Sequence, residues 1–358
     1  MERVIKYAIG ADVSKDKFDV CLLSCDIQTG LKVKGSRKFS NNLTGFKEFS
    51  QWIKDHCKVK APVQILMEAT GIYYEHLAIW LADHQFTVFV VLPNKARSFI
   101  KALGLKTKND RADAKGLAEM CARHQFEPWK PIAKYNYELR LLTRHYQSTQ
   151  ELRTSFLNQL HALEYSGYNS KQIIKQLKKS IALFEKQLKD IKKEIAGHIE
   201  KDSDVKRKVG HICKIKGIDI LSAATIIAET NGFELFKNQA QLVSYAGYDV
   251  IENQSGQHTG KTKISKKGNS RIRRILHMPA LNMVRFEEPA FLELYHRVYE
   301  NTKIKMKAYV AVQKKLLLII YALWKNDTPY DKTFKVKPIS VNEEQVPSFR
   351  FSPQEKAV

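Results

Sequence analysis

From residue 4 to about 130 the chain alternates two hydrophobic rhythms. VIKYAIGADVS and KFDVCLLS carry apolar runs of strand length, and a third strand is predicted near Lys32–Phe39. A helix is predicted over about Thr44–His56. PVQILMEA reads as a buried strand ending at Glu68, Tyr73–His84 as an amphipathic helix, and FTVFVVL as another strand. A further helix begins near Asn109 or Asp110, either of which can cap it, and runs to about His124. Strands alternating with helices predict an α/β domain over residues 1–130. In such sheets reactive groups gather at strand ends.

The pattern then changes. Leu139, Leu142, Tyr146 and Thr149, then Phe156, Leu160 and Leu163, step by threes and fours. After a break at Ser166–Asn169, the same spacing returns in Ile174, Leu177, Ile181, Phe184, Leu188, Ile191 and Ile195. Heptad spacing on two helices joined by a turn predicts an antiparallel hairpin, or a seam between protomers, over residues 131–205. Residues 206–327 read as mainly helical. There ICKIKGIDILSAATIIAE resembles a helix-hairpin-helix unit, and Gln239–Ala246 forms a short helix. The polar loop DVIENQSGQHTGKTKIS leads into KKGNSRIRRILHMPALNMVRF, which reads as one basic amphipathic helix. Two more helices fill about Pro289–Tyr299 and Lys303–Trp324. The tail 328–358, with prolines at 329, 338, 347 and 353, is expected to be loosely held.

Composition adds a partner. Over 358 residues, 60 lysines and arginines stand against 37 acidic residues, a formal charge of +23 that calls for a polyanion. Nucleic acid fits better than a membrane surface, since the longest apolar run, Leu316–Trp324, is too short to span a bilayer. Five scattered cysteines without a CxxC pair argue against a disulfide framework and a zinc site, and fit a reducing cytoplasm.

Against this basic background four carboxylates stand out. Asp12 and Glu68 end apolar strands, and Asp110 and Asp113, three residues apart, share a helix face. Each alone has a bland reading, as a turn former or a solvated face. Together they can form a cage for divalent ions such as Mg²⁺, in which oxygen ligands hold metal beside a phosphodiester. The basic residues Lys261, Lys263, Lys266, Lys267, Arg271, Arg273 and Arg274 are placed to contact phosphates without reading bases.

The succession GADVSK, EATGIYY, KTKNDRADA and QSG…ISKKGNSRIRRIL, spread over about residues 5–285, resembles the DEDD-type insertion-sequence transposases that work with a bridge RNA. The resemblance implies an RNase H-like (RuvC-like) N-terminal domain, a helical hairpin and a C-terminal transposase domain. It implies that Asp12, Glu68, Asp110 and Asp113 hold metal, and that Ser255 is the nucleophile of a phosphoserine intermediate. It further implies DNA substrates, a structured guide RNA and a homo-oligomer, dimer or tetramer. Gly256 beside Ser255 permits close backbone approach to a phosphate, although serine next to glycine is ordinarily just a turn residue. Two other readings use the same residues. One is a metal-dependent nuclease of the Holliday-junction type in which water attacks; the other is a nucleic-acid-binding protein without catalysis.

Overall fold

The computed structural model describes residues 4–104, 109–251, 254–255, 258–259 and 262–331. The chain divides into two compact units, residues 1–132 and 133–358. The first is built on a five-stranded sheet of order β3-β2-β1-β4-β5. Its strands are β1 (Val4–Val13), β2 (Lys17–Asp26), β3 (Gly30–Ser40), β4 (Val63–Glu68) and β5 (Thr87–Val91). β1 to β3 form an antiparallel meander, while β4 runs parallel to both β1 and β5. The helices are α1 (Leu43–His56), α2 (Glu75–Asp83), α3 (Pro93–Ala102) and α4 (Asp110–Arg123). The sequence pattern did not announce α3: it is short, opens on Pro93 at its first turn and buries only Ala96.

Strand alternation divides the apolar residues between two cores. Ile9, Ala11, Ile65 and Met67 face Phe49, Leu77 and Leu81 on one side of the sheet. Ala8, Cys21, Leu23 and Leu66 face Ala114, Leu117, Ala118 and Cys121 of α4 on the other. Because the side-chain period is two, Asp12, Asp19 and Glu68 fall on the α4 side.

The second unit is mostly helical. α5 (Lys134–Glu164) and α6 (Lys171–Glu200) form the antiparallel hairpin that the heptads predict. Phe156 meets Phe184 edge to face at 5.3 Å, and Arg153, which interrupts the stripe, pairs with Glu185 across the hairpin. The open end of the hairpin shares a core with the helices after it: Leu139, Ile191, Ile195 and Ile199 pack with Ile212, Ile226, Leu316 and Ile320. α7 (Ser203–Cys213) and α8 (Ile220–Thr230) flank a turn that needs Gly217 in a left-handed conformation, φ +87°. α9 (Gln239–Ala246) ends at Gly247, also left-handed. Four two-residue strands then make two ladders, β6 (Val250–Ile251) with β9 (Lys263–Ile264), and β7 (Gln254–Ser255) with β8 (His258–Thr259).

The single basic helix expected from Lys266 does not form. Lys266 takes φ +54° and leads a loop, and helix α10 (Ser270–Ile275) starts only after Asn269, whose side chain accepts from the Arg271 and Ile272 amides. Pro279 has no N–H for the Ile275 carbonyl, so the chain breaks at Leu276 into a separate α11 (His277–Arg285). α12 (Pro289–Thr302) and α13 (Lys305–Asn326) complete the unit. Among the described residues no helix is long and apolar enough to cross a membrane. Most of the expected tail, residues 332–358, lies outside the described residues.

Candidate active site

β1 and β4 are neighbours and parallel, with Ala11 in register with Met67. Asp12 and Glu68 are the next residues on each strand, so two carboxylates stand side by side in the last residues of β1 and β4, at the carboxyl end of the sheet, where open α/β sheets bind ligands. α4 brings the other two. It crosses β1 at Gly10, where any Cβ would collide with the Ala114 carbonyl and the Ala118 amide. That close approach sets the first turn of α4 over the end of β1. Asn109 caps the helix, its side chain accepting from the Ala112 amide at 2.8 Å. Asp110 is therefore not needed as the cap, and both Asp110 and Asp113 lie in the first turn, where the helix dipole favours negative charge.

Electrostatics show the convergence. The Asp12 carboxyl is pushed up to about 6, first by burial and then by Asp110, Asp113, Glu68 and Asp19. Glu68 is also raised, by burial and by Asp113, with Arg97 and a hydrogen bond from Thr70 opposing. Crowded carboxylates that repel one another in this way are short of positive charge, and hard oxygen donors suit a divalent cation. One local cation is Lys17, whose ammonium lies 3.4 Å from Asp110. Among the described residues no group of three or more His, Cys, Asp or Glu side chains is arranged so that it could hold a metal ion. The carboxylates interact but are not closed on a point.

Three contributors escaped sequence reasoning. Asp19 pairs with Asp12 across the β1–β2 hairpin, and the tight turn at Ser14–Lys17 was the signal that could have revealed it. Arg97 comes from α3. Asn41 donates to the Ser14 and Tyr73 carbonyls, tying the turn after Asp12 to the loop after Glu68, and no local pattern marks it.

Ser255 lies in the second unit. It is exposed and pairs with His258 in the β7–β8 ladder, while Val250 pairs with Ile264 in the β6–β9 ladder. The residues flanking the β6–β9 ladder are tied by hydrogen bonds from the Ser265 hydroxyl and amide to Asp249. Gly256 and Lys261 lie outside the described residues. Lys263, Lys266 and Lys267 are exposed. Arg273 donates to the Ala246 and Lys266 carbonyls, Arg274 pairs with Glu151, and Arg271 turns toward buried Glu229.

Two family profiles match this chain, one described as "Transposase" over residues 9–163 and one described as "Transposase IS116/IS110/IS902 family" over residues 210–296. The first takes in all four carboxylates and the second takes in Ser255. With the α/β sheet and its acidic strand ends, they place the chain among the DNA transposases. More narrowly, the profile matched by residues 210–296 is that of the IS116/IS110/IS902 family of transposases, to which this chain is similar. The chain is 27% identical over 330 residues to the pilin gene-inverting protein of Moraxella bovis, covering 91% of this chain and 98% of that protein. A protein of the same description from Moraxella lacunata matches equally. The transposase for insertion sequence element IS1111A of Coxiella burnetii is 22% identical over 357 residues, covering 90% of each chain.

Proposed function

We propose that this protein is a recombinase of a mobile DNA element that cuts and rejoins strands through a phosphoserine link, using Mg²⁺ held by Asp12, Glu68, Asp110 and Asp113. The observation that carries the reading is the crowding of these carboxylates on the α4 face, expressed in an Asp12 carboxyl raised to about 6. A bound divalent cation supplies neutralisation of the charge that develops on the scissile phosphate. The Ser255 hydroxyl attacks phosphorus, its proton passing to solvent, and the displaced strand departs as a hydroxyl. The hydroxyl of a second strand then attacks the phosphoserine and releases Ser255 unchanged. One phosphodiester is broken and one formed, so no external energy source is needed. Exposure of Ser255 supports this role, because a nucleophile must meet the backbone phosphate of a strand bound at the protein surface. The sheet order and the acidic strand ends support an RNase H-like, RuvC-like first unit.

The reading extends to a homo-oligomer, dimer or tetramer, and to a structured guide RNA that selects sequence by pairing, leaving the protein to recognise shape and backbone. The family resemblance and the +23 charge support it. The gene-inverting relatives support site-specific inversion as one outcome of the same chemistry. The test is strand exchange on DNA bearing the element's ends, with Mg²⁺ and the nucleic acid that copurifies. Asp113→Asn should abolish cleavage and exchange together. Ser255→Ala should abolish both as well; cleavage that survives in it identifies a water-using nuclease instead.

A further inference from the structure

The second unit buries a carboxylate that the proposed chemistry does not use. Glu229, near the end of α8, is fully buried, with 0% of its side chain exposed. Arg144 of α5 grips it with two hydrogen bonds, Nε to Oε1 at 2.7 Å and Nη2 to Oε2 at 2.9 Å. Asn269 donates to Oε2 at 2.8 Å, while its own side-chain oxygen caps α10. The Tyr245 hydroxyl binds the Glu229 carbonyl, and Arg140 donates from Nε to the Ala228 carbonyl at 3.1 Å. Burial alone would raise the Glu229 carboxyl, but Arg144, Asn269 and Arg140 outweigh it and hold it below its ordinary range. Such a group stays ionised and acts as a fixed anchor.

Arg271 is the odd member. Its Nε stands 3.9 Å from Glu229 Oε1, beyond hydrogen-bonding distance. This buried Nε has no hydrogen-bond partner among the described residues. Leaving a charged donor in that condition is costly unless something completes it. The charges point the same way: Arg140, Arg144, Arg271 and Arg274 surround two carboxylates, Glu229 and Glu151, the latter already paired with Arg274. The Arg271 Nε itself is sealed, but the side chains of Arg144 and Arg271 remain 41% and 40% exposed, so each is open to solvent away from the edge that faces Glu229.

We propose that Arg144 and Arg271, held in place by Glu229, form a binding site for one phosphodiester of a nucleic-acid strand, with Glu229 as its positioning residue. An arginine fork matches two phosphate oxygens, and a rigid one loses less freedom on binding. The site rests on the functional reading only in taking nucleic acid as the ligand.

The test measures affinity as a function of salt for a 30-base-pair duplex DNA and for a hairpin RNA. Each phosphate that is no longer neutralised should lower the slope of log K against log salt by about 1. Arg271→Gln should lower it by about that amount with one ligand or both, and the ligand that responds identifies the strand. Arg271→Lys, which keeps the charge but not the fork, should recover the affinity only in part. Glu229→Gln removes a negative charge, so a simple charge effect would tighten binding; loss of positioning weakens it severalfold. Because Arg271 is half exposed, its variants report even if Glu229→Gln folds poorly. Unchanged slopes in Arg271→Gln on both ligands, or full recovery by Arg271→Lys, overturn the proposal and leave the functional reading standing. Failure of the unaltered protein to bind either ligand sinks that reading itself.

Discussion

Replacing Asp12 with asparagine should make the metal-free protein more stable. The carboxyl is raised from 3.8 to about 6, so in the folded state it prefers to be protonated. Below pH 3.8 it is neutral whether the chain is folded or not, and the native state bears no penalty. Between about pH 4 and 6 the unfolded chain ionises while the folded one resists, so stability falls; above about 6 both are charged and the loss is complete. At face value the shift corresponds to about 3 kcal/mol, and the partial exposure of Asp12 to solvent reduces this to about 1–2 kcal/mol. An asparagine side chain would keep the shape and remove the charge. Urea denaturation in EDTA should therefore show Asp12→Asn about 1–2 kcal/mol more stable than the unaltered chain at about pH 7.5, with the gap closing below about pH 4. Added Mg²⁺ should reverse the order, stabilising the unaltered chain and leaving the variant unmoved. A variant less stable than the unaltered chain near neutral pH without metal, or a gap that ignores pH, would refute the claim that the carboxylates crowd one another.

Gly10→Ala places a methyl group inside the backbone of α4, and overpacking of this kind costs about 1–3 kcal/mol or more, read as a lowered denaturation midpoint with loss of activity. Asn109→Ala removes the α4 cap at a cost of about 1 kcal/mol, and because Asp110 and Asp113 ride on that turn, cleavage should fall further than stability does. Ser255→Ala touches an exposed side chain and should leave the stability within about 0.5 kcal/mol of the original while strand exchange disappears.

The strand ends carrying Asp12 and Glu68 were legible because apolar runs stop there and the period of two assigns them a face. The acidic helix was legible because Asn109 is a strong capping residue. Through-space partners were not: Asp19, Asn41 and Arg97 join the site by register and packing, which a linear pattern shows only faintly. The basic segment misled because its charges continue past a boundary set by backbone chemistry. Asn269 starts one helix, Pro279 splits off another, and neither interrupts the rhythm of Lys and Arg. Glu229 was hidden for the opposite reason. It ends an apolar stretch, IIAE, as Glu68 ends its strand, yet its partners Arg144 and Asn269 lie 85 and 40 residues away.

The most direct measurement is to stop the reaction on DNA carrying the element's ends, digest the protein and locate the attached nucleotide by mass spectrometry. The mechanism predicts a phosphodiester on the Ser255 hydroxyl, formed only with a divalent cation and absent from Asp113→Asn. Cut strands with no attached peptide, or attachment at another residue, would contradict it.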